Sequence, residues 1–254
     1  MNLKIDIPED DIHYEPTLDQ TIQYLAERRG IIPQDLYNIY NQMTPTDKTF
    51  FNDKEFSPSK TKREYATFQM KNNQYTASCR FTYYTHDNCF TKVYIYDDDT
   101  KKNIVLAKIL CEIYFQQHAM EFNSPSECNF LVPNIYSYGF IQSHPNKEQL
   151  VFYFTMEHVN ATTIEKFKHT VPEDYAKYMI SKAKSIEIDD CLKCNGFYHN
   201  DLHSNNIMIS NTDNKIYIID YGESSKIENN LIGFNDHLYC IGCSHTKKYT
   251  RISF

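Results

Sequence analysis

Glycine is scarce in this chain: six residues in 254, against 21 tyrosines and 16 phenylalanines. Each missing glycine removes a place where the backbone could turn left-handed or let a ligand lie directly on the main chain. Positive charge is short as well. The formal net charge is -7, and after Arg63 no Lys/Arg block is longer than a pair, which excludes a phosphate-tracking nucleic-acid groove as the main surface. No apolar run approaches the roughly 20 residues of a membrane-spanning helix. The stretch MNLKIDIPEDDIHYEP is acidic and polar, unlike a secretory or mitochondrial presequence. These absences predict a soluble, cytoplasmic protein without membrane contact. The eight cysteines are then expected as reduced thiols, not as a disulfide frame.

The composition that remains, 41% hydrophobic and 23% charged, is ordinary for a globular chain and leaves room for one large or two small domains. Residues 1 to 16 form a polar lead. Leu18, Ile22 and Leu25, then Leu36, Ile39 and Met43, follow at helical spacing, and Gly30 and Pro33 divide them into two helices. That hairpin is expected to pack on the main domain, with the gripping of a protein partner as the alternative. With the polar link that follows, it makes an extension over residues 1–62.

From Glu64 the texture changes. EYATFQM, ASCRFTYY and CFTKVYIY are rich in aromatic and β-branched residues and are separated by the turn-forming KNNQYT and THDN. They read as three antiparallel strands. KKNIVLAKILCEIYFQQHAMEF then predicts an amphipathic helix with Leu106, Ile109, Ile113, Gln117 and Met120 on one face, and NIYSYGFI and QLVFYFTME read as two more strands. The domain so defined spans 63–157.

Residues 158–254 read as mainly helical. ATTIEKFK is a short helix, and Thr170-x-x-Glu173 is a capping box for a longer one ending near Gly196, with Tyr175, Met179, Ala183 and Ile186 as its buried stripe. Two short strands, NIMIS and KIYIID, close the pattern. Between helix and strands lies FYHNDLHSNNIMI, followed by IDYG.

Phosphoryl transfer needs an acceptor oxygen aimed in line, a metal fixed between phosphates and charge neutralised on the moving group. An Asp, an Asn five residues on and a second Asp at the end of a buried strand meet those needs: Asp201, Asn206 and Asp220. In this order, HNDLHSNN and IDYG resemble the protein-kinase-like superfamily over roughly residues 64 to 243. The resemblance implies an α+β, bilobal fold: a five-stranded antiparallel N-lobe sheet with one helix, and a truncated, mainly helical C-lobe like that of small RIO-type atypical kinases.

It also implies ATP and Mg²⁺ as cofactors. Asp201 would orient the acceptor hydroxyl and take its proton, while Asn206 and Asp220 would hold Mg²⁺. Lys92 in FTKVYIY would pair with Glu112 on the following helix to orient the α- and β-phosphates, and His199 would shape the loop. Backbone groups of Glu157 and His158 would meet the adenine edge, and Asn72 and Asn73 would stand in the phosphate-covering loop. FNDHLYCIG would begin the helix under the catalytic loop, with Asp236 as its anchor.

Three departures keep alternatives open. KNNQYT has no glycine where the family has three, Asn200 replaces the arginine that meets a phosphorylated activation loop, and His203 stands where Ser/Thr kinases commonly carry lysine. Asp-Leu-His is also seen in aminoglycoside and choline phosphotransferases, in haspin and in kinase-like proteins of large DNA viruses. An Asn-, Tyr- and Ile-rich, glycine-poor composition fits such a viral source. The readings are an atypical serine/threonine protein kinase, a small-molecule kinase, and a pseudokinase acting as a binding scaffold; the acceptor is a hydroxyl on a protein or a small molecule. Cys191-x-x-Cys194 and Cys240-x-x-Cys243 form two CxxC units, which carry either a zinc site or buried thiols.

Overall fold

The computed structural model describes residues 16–46, 61–70, 73–86, 88–96, 102–121, 129–142, 150–185 and 188–226. Asn72, Asp236, Cys240 and Cys243 lie outside the described residues, and so does FNDHLYCIG.

Two helices open the described chain, α1 over Leu18–Arg29 and α2 over Pro33–Gln42. Thr17 caps α1 in a reciprocal box with Gln20: its hydroxyl accepts from the Gln20 N–H at 3.2 Å, and the Gln20 side-chain Oε1 accepts from the Thr17 N–H at 3.0 Å. Gly30 closes α1 at φ 67°, a backbone position that a side chain would strain. Pro33 then opens α2, where its missing N–H has no partner to lose.

The main sheet has six strands: β1 over Thr44–Thr46, β2 over Thr61–Met70, β3 over Asn73–His86, β4 over Cys89–Tyr96, β5 over Ile135–Gln142 and β6 over Leu150–Glu157, in the order β1-β5-β6-β4-β3-β2. The expectation of five antiparallel strands is corrected by β1. It comes from the segment read as a link and runs parallel to β5, with Thr44 opposite Gly139. A Cβ on residue 139 would collide with the Thr44 carbonyl oxygen, so the close approach of β1 requires glycine there.

Between β4 and β5 runs α3, Lys102–Glu121. It is not the half-buried amphipathic helix its spacing predicts. Ile104, Leu106, Ile109, Leu110, Ile113 and Phe115 are all buried, and these residues point to more than one side of the helix. The cause is a second packing surface: Ile22, Leu25 and Ala26 of α1 and Leu36 and Ile39 of α2 join the same core. The hairpin spends its apolar stripe on α3 and the sheet.

The remainder holds β7 over Ala161–Thr163, α4 over Ile164–Thr170, α5 over Glu173–Ser185, α6 over Ile188–Cys194, β8 over Ile207–Ser210 and β9 over Ile216–Ile218. Here the sequence reading needs four corrections. The first three residues of ATTIEKFK form β7, which adds an edge to β8 and β9. Thr170 does not cap α5; it ends α4, its hydroxyl donating to the Phe167 carbonyl at 3.2 Å. Of the stripe expected on α5, Met179 is buried, with Ala176 and Ile180 beside it, but Tyr175 is exposed and bonds Asn214; the Ala183 side chain and Ile186 are outside what is described. The helix also stops at Ser185, and α6 is a separate piece.

Gly196, at φ 84°, ends α6, and the N–H groups of Gly196 and Phe197 return to the carbonyls of Lys193 and Leu192. That reversal sets Phe197 in the core against Phe115 of α3, ring centroids 5.9 Å apart. The loop that follows is thereby fixed under α3.

Candidate active site

Residues 92 and 94 of β4 share a face because side chains alternate along a strand. Both are turned toward α3. The Lys92 ammonium donates to both carboxylate oxygens of Glu112, at 2.9 and 3.2 Å, and the Tyr94 hydroxyl donates to Oε2 at 2.7 Å. The pair is nearly dry, with Lys92 4% and Glu112 5% exposed. Burial pushes the Glu112 carboxyl above its ordinary range, with Lys92 pulling in the opposite direction. On the other side of the ammonium, Asp220 Oδ1 lies at 3.7 Å. Lys92 holds the Asp220 carboxyl below its ordinary range; this group is ionised and, with 40% of its side chain exposed, faces the open side.

Asp220 adopts a left-handed backbone, φ 67°, two residues after the end of β9. Asp201 is reached through another such turn at Asn200, φ 62°. Asparagine tolerates this geometry better than most residues. Its side chain then donates to the Glu223 carbonyl at 3.0 Å and to the Ser225 hydroxyl at 2.8 Å. The position that departs from the arginine of regulated kinases therefore ties the Asp201 loop to the segment after Asp220. Tyr198 and Ser225 exchange backbone bonds at 2.7 and 3.0 Å beside it.

His199 is fully buried, and burial lowers its pKa to about 4. Its Nδ1 accepts from the Asp201 N–H at 3.3 Å, so the proton sits on Nε2 and is donated to the Ile219 carbonyl at 3.1 Å. A neutral imidazole thus spans the two aspartate-bearing segments. Asp201 is half-buried, and burial raises its pKa, with His203 as the leading opposing influence. His203 Nε2 lies 3.6 Å from Asp201 Oδ2.

Asn206 donates its amide to the Asp201 carbonyl at 2.9 Å and to Asp201 Oδ2 at 3.1 Å. With its nitrogen so engaged, Oδ1 is what Asn206 can offer a cation. An amide oxygen together with an ionised carboxylate would make a hard, all-oxygen donor set, of the kind that suits Mg²⁺ better than a softer metal.

At the hinge, the N–H of Glu157 donates to the Asn134 carbonyl and that of His158 to the Asn88 carbonyl, at 2.8 and 2.7 Å. Asn73 opens β3 opposite Met70.

The cysteine expectation is corrected at Cys191, which is disulfide-bonded; Cys89, Cys111 and Cys194 are free. Among the described residues no cluster of three or more His, Cys, Asp or Glu could hold a metal ion, and no helix is long and apolar enough to cross a membrane.

Three participants escaped the sequence reading. Tyr94 could have been found from its alternation with Lys92. Arg29 and Glu223 carry no local signal: Arg29 meets Gly222 across 193 positions of sequence.

Residues 115–238 match the sequence model of the ABC1 atypical kinase-like domain, just under half of the chain. The chain is similar to that family, and the likeness supports a place in the protein-kinase-like superfamily. The matched stretch contains Asp201, Asn206 and Asp220 but stops short of Lys92 and Glu112, whose contact rests on the structure alone. No curated protein matches the chain.

Proposed function

We propose that the chain is an ATP- and Mg²⁺-dependent phosphotransferase, an atypical serine/threonine protein kinase that moves the γ-phosphate of ATP to a hydroxyl. The observation that carries this reading is the row of three charges: Lys92 is bonded to Glu112 at 2.9 Å and stands 3.7 Å from Asp220. In this reading Lys92 orients the α- and β-phosphates, Asp220 and Asn206 hold Mg²⁺, and Asp201 aims the acceptor and takes its proton as the phosphate ester and ADP form. In this reading the N-lobe is taken as 63–157, with β1 and the first residues of β2 joining its sheet from upstream, and the C-lobe as 158–254.

The test is transfer from labelled ATP with Mg²⁺ to generic protein, aminoglycoside and choline-like acceptors, beside Asp201→Ala and Asp220→Ala. Loss of a positioned base is expected to slow transfer by about 10² to 10⁴-fold. Equal, negligible transfer by all three proteins removes the enzyme. Label on the small acceptors but not on protein replaces a protein kinase with a small-molecule one.

A second reading has its own observation. Only Lys71 and Asn72 connect the paired residues Met70 and Asn73, so the turn over the phosphates has no glycine to bring its N–H groups close. A nucleotide-binding scaffold without catalysis would show nucleotide-dependent thermal stabilisation and no transfer.

A further inference from the structure

The last turn of α1 reaches the Asp-Tyr-Gly segment from behind. Arg29 is 8% exposed. Its Nη1 donates to the Gly222 carbonyl at 2.5 Å and to the Ser224 carbonyl at 3.2 Å, and its Nη2 stands 3.6 Å from Glu223 Oε2. The backbone takes part too: the Lys226 N–H donates to the Arg29 carbonyl at 2.7 Å. Lys108 of α3 closes the ring, with Nζ 2.7 Å from Glu223 Oε1.

One guanidinium thus satisfies two consecutive-but-one carbonyls immediately after Asp220. A planar fork can do this where a flexible ammonium serves one direction at a time. The helix it sits on packs against α3, which carries Glu112. Both charged neighbours of Lys92 are therefore backed by the same N-terminal hairpin: Glu112 through apolar packing and Asp220 through Arg29.

We propose that Arg29 is a positioning residue for the reaction site, and that the hairpin of α1 and α2 acts in cis to hold the Asp220 segment in register with Lys92. The relevance of that register to phosphate transfer rests on the function proposed above; the positioning itself does not. Arg29 touches no reacting group, so its loss acts by letting the segment 220–226 move.

The experiment compares the full chain with Arg29→Ala and Arg29→Lys by hydrogen exchange of the amides of residues 220–226, by the unfolding midpoint, and by titration of ATP with and without Mg²⁺. Loss of two charge-assisted bonds predicts exchange faster by about tenfold in this segment for the alanine variant, with amides of α5 and β8 unchanged. The lysine variant falls between. ATP binding with Mg²⁺ weakens by about tenfold, while binding without metal changes little.

Unchanged exchange at 220–226 in a folded Arg29→Ala protein overturns the proposal. So does uniform acceleration everywhere in both variants, which marks a merely structural arginine. If exchange rises locally but the wild-type chain binds no ATP and transfers no phosphate, the positioning stands and the phosphotransferase reading falls.

Discussion

Two of the lysine–glutamate pairs among the described residues stand at opposite extremes of burial. On the outer face of α5, Lys177 and Glu173 lie 2.6 Å apart, with side chains 67% and 81% exposed. Between β4 and α3, Lys92 and Glu112 lie 2.9 Å apart, with side chains 5% and 7% exposed. The shorter bridge is the one the protein can do without. Water screens the outer pair and re-solvates either partner when the other goes, whereas the inner pair has given up its water, so each charge depends on the other. Length alone says little about which contact the fold and the site require.

The largest expected effect tests this contrast directly. Glu112→Ala leaves the Lys92 ammonium buried with Asp220 as its remaining carboxylate at 3.7 Å, and denaturant unfolding is expected to show a loss of about 3 to 5 kcal/mol. A loss no larger than that of a surface substitution would mean water reaches Lys92.

His199 carries the contrast into pH. Its folded pKa, about 4, lies below the ordinary 6.5, so the unfolded chain binds the extra proton between those values. Stability is full above pH 6.5 and falls as the pH drops toward 4, by about 3 kcal/mol for a shift of this size. Replacing His199 with Gln should flatten that slope in unfolding free energies measured from pH 7 to pH 4. If the slope persists, another group titrates.

Tyr221 is a buried polar group of the opposite kind. Among the described residues its hydroxyl has no hydrogen-bond partner, and burial raises its pKa well above the ordinary value. Tyr221→Phe removes an unsatisfied group and keeps the ring packing on His199 and Phe197. Thermal unfolding is expected to show a gain of about 1 kcal/mol. A loss would point to a buried water on that oxygen. Smallest of all, Lys177→Ala should leave the unfolding midpoint where it is, in low and high salt alike.

The same division explains what could be read without a structure. The grouping of Asp201 with Asn206 is legible in their local spacing, and strands β2 to β6 are legible because alternating aromatic and β-branched residues need no distant partner to declare themselves. The burial of α3 was not readable. A helix covered on one face and one covered on several differ in what packs against them, and the second cover here is a hairpin some sixty residues upstream in the chain. The shift of the α5 face from Tyr175 to Ala176 has a similar cause, since one residue of rotation changes the stripe while preserving its period. Arg29 reads as an ordinary basic last turn of a helix until the chain returns to it at Gly222.

Strand β1 has a consequence for solubility. It lies along the free side of β5, pairing Thr44, Pro45 and Thr46 with Gly139, Phe140 and Ile141. An uncovered β5 would present open N–H and C=O groups beside aromatic side chains, a template on which another chain could add a strand. Three residues, one of them a proline that cannot pass the ladder on, shut that template. Any side chain larger than hydrogen at residue 139 would push against the Thr44 carbonyl, lift the cover off and leave β5 as an open edge.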